Sequence, residues 1–194
     1  MNPLSALSRT DLARALVAPF HPSIADSANP ALPTSSDVLP YAPSDAEVSH
    51  KLAVARELWL RQLAADMRSG PIMDCPGVVC DWLRLRYARL EHEMFLVLHL
   101  DVRHRLIDAE EVSRGTLTYA NVYPREVVKS ALAHNSAAMV LAHNHPSGEP
   151  QPSQQDILLT QRLQTALALV DVHVVDHFVV AGEKILSFAE RGLL

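Results

Sequence analysis

The second half of this sequence predicts a layered α/β (α+β) domain, and three observations carry that reading. Apolar runs of strand length recur at residues 93–101, 137–143 and 172–180. Helical periodicity starts between them, at Pro124 and at Ser153. Each of those starts bears a helix-entry signal: proline suits a first helical position, and serine suits an N-cap. Strands mixed with helices in this way bury a sheet under a helical layer.

Taken in order, residues 1–43 are rich in Pro, Ser and Ala and are expected to form a flexible N-terminal segment. Residues 20–43 read as a linker, because six of the 13 prolines fall between Pro19 and Pro43. Little apolar surface is available there to offset the entropy of ordering. A helical extension is expected over residues 44–73. Ser44 followed by Glu47 makes a capping box. Val48, Leu52, Ala55, Trp59 and Leu63 recur at helical spacing and are expected to be its buried face. Gly70-Pro71 ends it. A second helix is expected from Pro76 to about Leu90, with Val79, Leu83 and Leu90 on one side and Arg84, Arg86 and Arg89 on a solvated face.

From residue 74 to 194 the domain proper is expected. Its first strand, EMFLVLHLD, turns at residues 102–105 into a second from about Leu106, punctuated by Gly115-Thr116. The helix opened by Pro124 is expected to turn Val127, Val128, Ala131 and Leu132 toward a core. The strand AAMVLAH follows, then a long helix from Ser153 to about Val170, the strand VHVVDHFVV, and a short strand from Lys184 to Phe188.

The formal charge of −5 argues against an electrostatic nucleic-acid binder. The deficit lies late, with 8 Lys+Arg against 13 Asp+Glu from Glu91 onward. Cys75 and Cys80 match no common zinc pair and suit a reduced cytoplasmic setting. Arg9 and Arg14 lie among Ala, Ser and Leu, but no secretory apolar core accompanies them. No apolar run approaches the ~20 residues of a membrane span.

The chemistry concentrates in His143-Asn144-His145-Pro146-Ser147-Gly148 and on to Ser153 and Asp156. Residues i and i+2 of extended chain share a face, so the two imidazoles are aimed at one point. Asp156 falls in the first turn of the next helix, from which its carboxylate can lean back to the strand end. Two nitrogens and one oxygen around zinc leave a fourth position for water, the catalytic pattern. Glu93, at the mouth of a buried strand, is the candidate general base, with Glu91 an alternative on periodicity. Ser153 is a candidate hydrogen-bond donor to a developing oxyanion. Ser153 and Asp156 also spell Ser-x-x-Asp, a near relative of the capping box, which would explain both without chemistry. Asp176 and His177 are a candidate outer group of the same site, against the plainer reading of a half-buried strand histidine. His99 and His134 read as structural or surface groups.

The run HNHPSGEPQPSQQD resembles the JAMM pattern of the JAB/MPN metallohydrolases, with Ser eight and Asp eleven positions after the second His. Glu93-Met-Phe, Leu100-Asp101, Gly115-Thr116, Pro124-Arg125-Glu126-Val127, Asp176-His177 and Ser187-Phe-Ala-Glu190 resemble the RadC-type branch of that family. The resemblance covers residues 74–194. It implies a curved, mixed sheet flanked by helices in a cytidine-deaminase-like layered fold. It implies zinc held by His143, His145 and Asp156, with Glu93 as acid/base and Ser153 as oxyanion donor. Longer members of that branch carry an N-terminal helix-hairpin-helix-like region, and no Gly-rich hairpin of that kind occurs here.

The resulting expectation is a zinc-dependent hydrolase acting on an amide or isopeptide bond in a peptide or protein. Nucleic-acid binding is expected to be weak or absent, and no membrane association is expected. The alternative is a non-enzymatic, zinc-stabilised accessory module in DNA repair or recombination.

Overall fold

The computed structural model describes residues 3–19, 43–88, 90–114 and 122–194. Arg89, Gly115 and Thr116, and the residues 20–42 expected to be linker, lie outside them. The chain divides into two compact units, residues 1–61 and 62–194.

In the first unit, a stretch expected to be flexible forms helix α1, Arg9–Val17. The Ser8 hydroxyl caps it by accepting the Asp11 amide at 3.1 Å. It lies along the first part of helix α2, Asp45–Ser69, whose capping box is present: the Glu47 amide donates to Ser44 Oγ and the Ser44 amide to Glu47 Oε2. Leu4, Leu12 and Val54 form the small core, with Leu16 and Leu58 packed against it. Two cations of α2 satisfy the backbone around α1. Lys51 donates to the Leu16 and Ala18 carbonyls at its C-terminus. Arg61 donates to the carbonyls of Leu4, Ser5 and Leu7 before it. Of the face of α2 expected to be buried, Leu63 is buried and Ala55 half-buried, whereas Leu52 and Trp59 are each 59% exposed and Val48 38%. Val54 and Leu58 meet Leu12 because they sit on the side to which Lys51 and Arg61 tie the preceding segment.

The second unit is built on a five-stranded sheet of order β2-β1-β3-β4-β5. The strands are β1 (Met94–Leu100), β2 (Leu106–Arg114), β3 (Ala138–Asn144), β4 (His173–Ala181) and β5 (Lys184–Ser187). All neighbours are antiparallel except β3 and β4. That parallel pair needs a crossover, supplied by helix α5, Gln154–Ala168. Every residue of β1 and of β3 is buried, as a sheet covered on both faces requires. On one face Phe95, Val97, Met139 and Leu141 pack against Val127 and Ala131 of helix α4, Pro124–Ala133, and against Leu163 and Leu167 of α5. Leu132 of α4, expected in the core, is 56% exposed. Leu132 directly follows the buried Ala131, and the helical turn of about 100° per residue carries it off the buried stripe. Helix α3, Pro76–Tyr87, buries Val79, Trp82, Leu83 and Tyr87. Arg84 on it pairs with Asp81 at 2.8 Å. A last helical turn, α6 (Phe188–Arg191), follows β5 and ends in a left-handed Gly192.

Candidate metal centre

The register of β3 determines where the site stands. His143 pairs with Phe95 of β1 on one side and with Val179 of β4 on the other. It is therefore in the middle of the sheet, at the end of β3 that leads into α5. The His145 amide extends the ladder by donating to the Val180 carbonyl at 2.8 Å. Pro146 follows, and Gly148, with φ of 80°, turns the chain in a conformation costly for any residue with a Cβ. This turn returns the chain to the N-terminus of α5, so Ser153 and Asp156 face the strand end they left.

Two ring nitrogens and the two oxygens of one carboxylate converge there. His143 Nε2 and His145 Nε2 are 3.0 Å apart. His143 Nε2 is 3.3 Å from Asp156 Oδ1, and His145 Nε2 is 3.6 Å from Asp156 Oδ2. A tetrahedral ion with bonds of about 2.0–2.1 Å separates its ligand atoms by roughly 3.3–3.4 Å. The His143–His145 separation lies a little below that edge and the His143–Asp156 separation on it, while His145 lies nearer the other oxygen of the same carboxylate. The imidazole planes stand at 62° to one another, so their in-plane lone pairs cross rather than run side by side.

The outer nitrogens of both rings are engaged. His145 Nδ1 faces the Glu149 carbonyl at 2.8 Å, and a carbonyl only accepts, so Nδ1 carries a proton and the neutral ring presents its lone pair from Nε2. His143 Nδ1 lies 2.9 Å from His177 Nε2. Burial, with a smaller contribution from His145, drives His143 down to about 4, against a weaker upward pull from Asp156. It is therefore neutral and able to ligate at ordinary pH. His145 is raised, first by its hydrogen bond with Asp156. Burial alone would raise Asp156, but the His145 hydrogen bond, the His143 charge and the Ser153 hydroxyl and amide together hold its carboxyl far below the usual range.

The capping role of Asp156 and its approach to the two histidines coexist. Its Oδ2 accepts the Ser153 amide at 2.7 Å and the Ser153 hydroxyl at 2.6 Å, while the Asp156 amide donates to Ser153 Oγ. This complete capping box is what aims the carboxylate at the two histidines. Ser153 thus stands in the site, with its hydroxyl proton committed to Asp156.

Glu93 is half-buried directly before β1. Burial raises its carboxyl, partly offset by the charge of His145 and reinforced by that of Asp156. Glu91, the alternative, is exposed. The placement of Glu93 has a specific cause. Asn144, between the two histidines, points to the other side of β3. Its Oδ1 accepts the Met94 amide at 2.8 Å and its Nδ2 donates to the His92 carbonyl at 3.0 Å. One buried amide side chain thus grips the backbone on both sides of Glu93.

Sequence reasoning passed over Asn144 and Thr160. The available signal for Asn144 was a polar residue at a core position of a buried strand. His177 is fully buried and takes part in the site, whereas its neighbour Asp176 does not. Asp176 accepts the His177 and Ala189 amides and the Ser187 hydroxyl, which fixes the corner between β5 and α6. His99 is fully buried and His134 half-buried, in keeping with a structural role. With Glu110 they form a second set of ligand-type atoms within 4.8 Å of one another.

Comparison with known proteins agrees with this architecture. The family model for the RadC-like JAB domain matches residues 73–193. A UPF0758 protein of Leptothrix cholodnii is 56% identical over 144 residues, which are 74% of this chain and 65% of that protein. One from Dechloromonas aromatica is 48% identical over 188 residues, 96% of this chain and 82% of its own length. One from Thiobacillus denitrificans is 53% identical over 154 residues, 79% and 69% of the two chains. The matched part of this chain thus spans a little under two thirds of the Leptothrix relative. On the family match and these identities, the chain belongs to the RadC-like JAB domain family.

Proposed function

We propose that this chain is a zinc-dependent hydrolase of amide or isopeptide bonds, acting on a peptide or protein. His143, His145 and Asp156 are the metal ligands and Glu93 is the general base. The observation that carries the reading is the convergence of two imidazole lone pairs and one carboxylate at tetrahedral-edge separations. A donor set of two neutral imidazoles and a carboxylate suits zinc and leaves one position open. Zinc, when bound, acidifies a coordinated water toward pKa ~7 and polarises a carbonyl.

The chain's own residues supply the rest. Glu93 takes the proton of the attacking water and returns it to the leaving nitrogen. Partial burial raises its carboxyl and so strengthens it as a base. Asn144 keeps it at the mouth of β1. The Ser153 hydroxyl serves a developing oxyanion once it turns from Asp156 Oδ2. Among the described residues no helix is long and apolar enough to cross a membrane. With a net charge of −5, DNA binding is expected to be weak and strongly salt-dependent.

The test joins metal analysis to an unbiased peptide-substrate screen. About one zinc per chain is expected. Glu93→Gln should keep the metal and the fold while turnover falls by about 10²–10⁴-fold. Asp156→Asn should instead weaken zinc, with a stability cost of up to ~1 kcal/mol from the lost first-turn charge. If Glu93→Gln sheds zinc and Asp156→Asn retains it, the two carboxylates have been assigned the wrong way round.

A further inference from the structure

His143 can bind a metal through Nε2 only if its single proton resides on Nδ1, and nothing in the first layer of ligands enforces this. The enforcement lies further in. Thr160, one turn beyond Asp156 on α5, is fully buried. Its hydroxyl lies 2.6 Å from the Asp156 carbonyl and 2.7 Å from His177 Nδ1. The hydroxyl has one proton and the carbonyl can only accept, so Thr160 donates to Asp156. Its oxygen must then accept from His177, which places the His177 proton on Nδ1. His177 Nε2 is left with a lone pair, and it faces His143 Nδ1 at 2.9 Å. His143 must therefore donate, and its own lone pair is on Nε2, toward His145 and Asp156.

We propose that Thr160 and His177 form a proton-ordering chain that locks His143 in its metal-binding tautomer and so sets the metal affinity of the site. The inference rests on the metal assignment above. Thr160 and His177 are positioning residues, since neither offers an atom to the metal. The chain begins at the backbone of one ligand, Asp156, and ends at the ring of another, His143, so the two are ordered together. His177 has little freedom to leave it. It is packed edge-on to Phe95 at 5.6 Å between ring centroids and against Phe188 at 4.6 Å. Partners that fix the outer nitrogen of a ligating histidine typically matter by 10–100-fold in metal affinity.

The deciding experiment substitutes the residue furthest from the metal. Thr160→Val keeps shape and removes the hydroxyl, leaving His177 free to move its proton to Nε2 and oppose His143. Thr160→Ser keeps the hydroxyl. Zinc affinity, measured by competition with a chromophoric chelator, should fall about 10–100-fold in Thr160→Val and recover in Thr160→Ser. Long-range ¹H–¹⁵N NMR of the imidazoles in metal-free protein gives a second readout, independent of zinc. His143 should be the Nδ1–H tautomer in the wild type and in Thr160→Ser, and a mixture in Thr160→Val. Equal zinc affinity in a folded Thr160→Val, or an Nε2–H tautomer for His143 in the wild type, overturns the proposal. If the wild type takes up no zinc, the hydrolase reading fails, and the NMR tautomers still decide the chain.

Discussion

Two histidine–carboxylate clusters share the helix-covered face of the sheet, and only the one around His143 has its rings set to point at a common position. The register places His143 opposite Phe95 and His99 opposite Met139. The two clusters are thus four residues apart along the strands, roughly 13 Å at the usual rise. Both satisfy a proximity criterion, with three ligand-type atoms inside 4.8 Å. Their geometry differs. His143 and His145 cross at 62°. His99 and His134 lie nearly parallel, 17° apart with ring centroids at 4.0 Å. Stacked at that distance, the two rings hold their in-plane lone pairs in separate, nearly parallel planes, so one ion would lie out of the plane of at least one ring.

The hydrogen bonds differ in the same sense. In the first cluster the outer nitrogens are engaged and the inner ones converge. In the second, His99 is occupied on both nitrogens, by Ser136 at 2.8 Å and by Ser130 and Glu110 at 3.1 and 3.3 Å. Ser130 also bonds Glu110 directly. His134 Nδ1 is 2.9 Å from the Ser130 carbonyl, with Asp108 at 3.5 Å from its Nε2. The same residue types thus make a ligand set in one place and a closed polar network tying β1, β2 and α4 in the other. Proximity of ligand-type atoms is not enough; the outer bonds decide which lone pairs remain available.

The strongest test of this contrast is metal content. His143→Ala should weaken zinc by more than the roughly 100-fold upper range of an outer-group change, because a direct ligand is lost. His99→Ala or His134→Ala should leave zinc at one per chain. A wild type holding two zinc ions, one of them lost with His134→Ala, would end the distinction. Next in size is the clamp on the base, which the second cluster lacks. Asn144→Ala removes two hydrogen bonds in a buried strand and should cost about 1–3 kcal/mol in chemical denaturation. It should also lower turnover in wild-type protein while adding nothing in a Glu93→Gln background. Additive losses in that double variant would show that Asn144 does not act through Glu93.

The smallest effect sharpens the contrast from the second cluster. Burial, then the nearby His134, lower the His99 pKa below its unfolded value of about 6.5. Below pH 6.5 the unfolded chain therefore binds the extra proton, and stability is lost as pH falls. The slope from one such group is at most about 1.4 kcal/mol per pH unit. His143 and His177, also lowered by burial, act in the same direction. His99→Phe keeps a ring against His134 and removes the titrating group. Urea unfolding of metal-free protein between pH 6.5 and 5 should show a shallower slope for the variant. Identical slopes would mean that His99 does not titrate on unfolding.

What could be read from residue order is what depends on short spans of chain. The strand and helix starts follow from periodicity and from caps such as Pro124 and Ser153. The candidate ligand set His143, His145 and Asp156 lies within fourteen residues, so strand alternation and one capped helix suffice to gather it. On α2 the apolar spacing reaches the buried Leu63 but not Val54 and Leu58, because two apolar stripes run along that helix and the packing of α1 selects between them. The remaining parts of the site needed the fold. Thr160 meets His177 across 17 residues, His143 meets His177 across 34, and Asn144 grips the amide of Met94 across 50. Those partners are set by how β1, β3 and β4 register against one another and where α5 crosses them. Hydrogen-bond polarity then passes inward from one carbonyl, at Asp156, to one lone pair, on His143. No local pattern encodes that direction, because it exists only once all four groups are buried together with a single proton to share at each step.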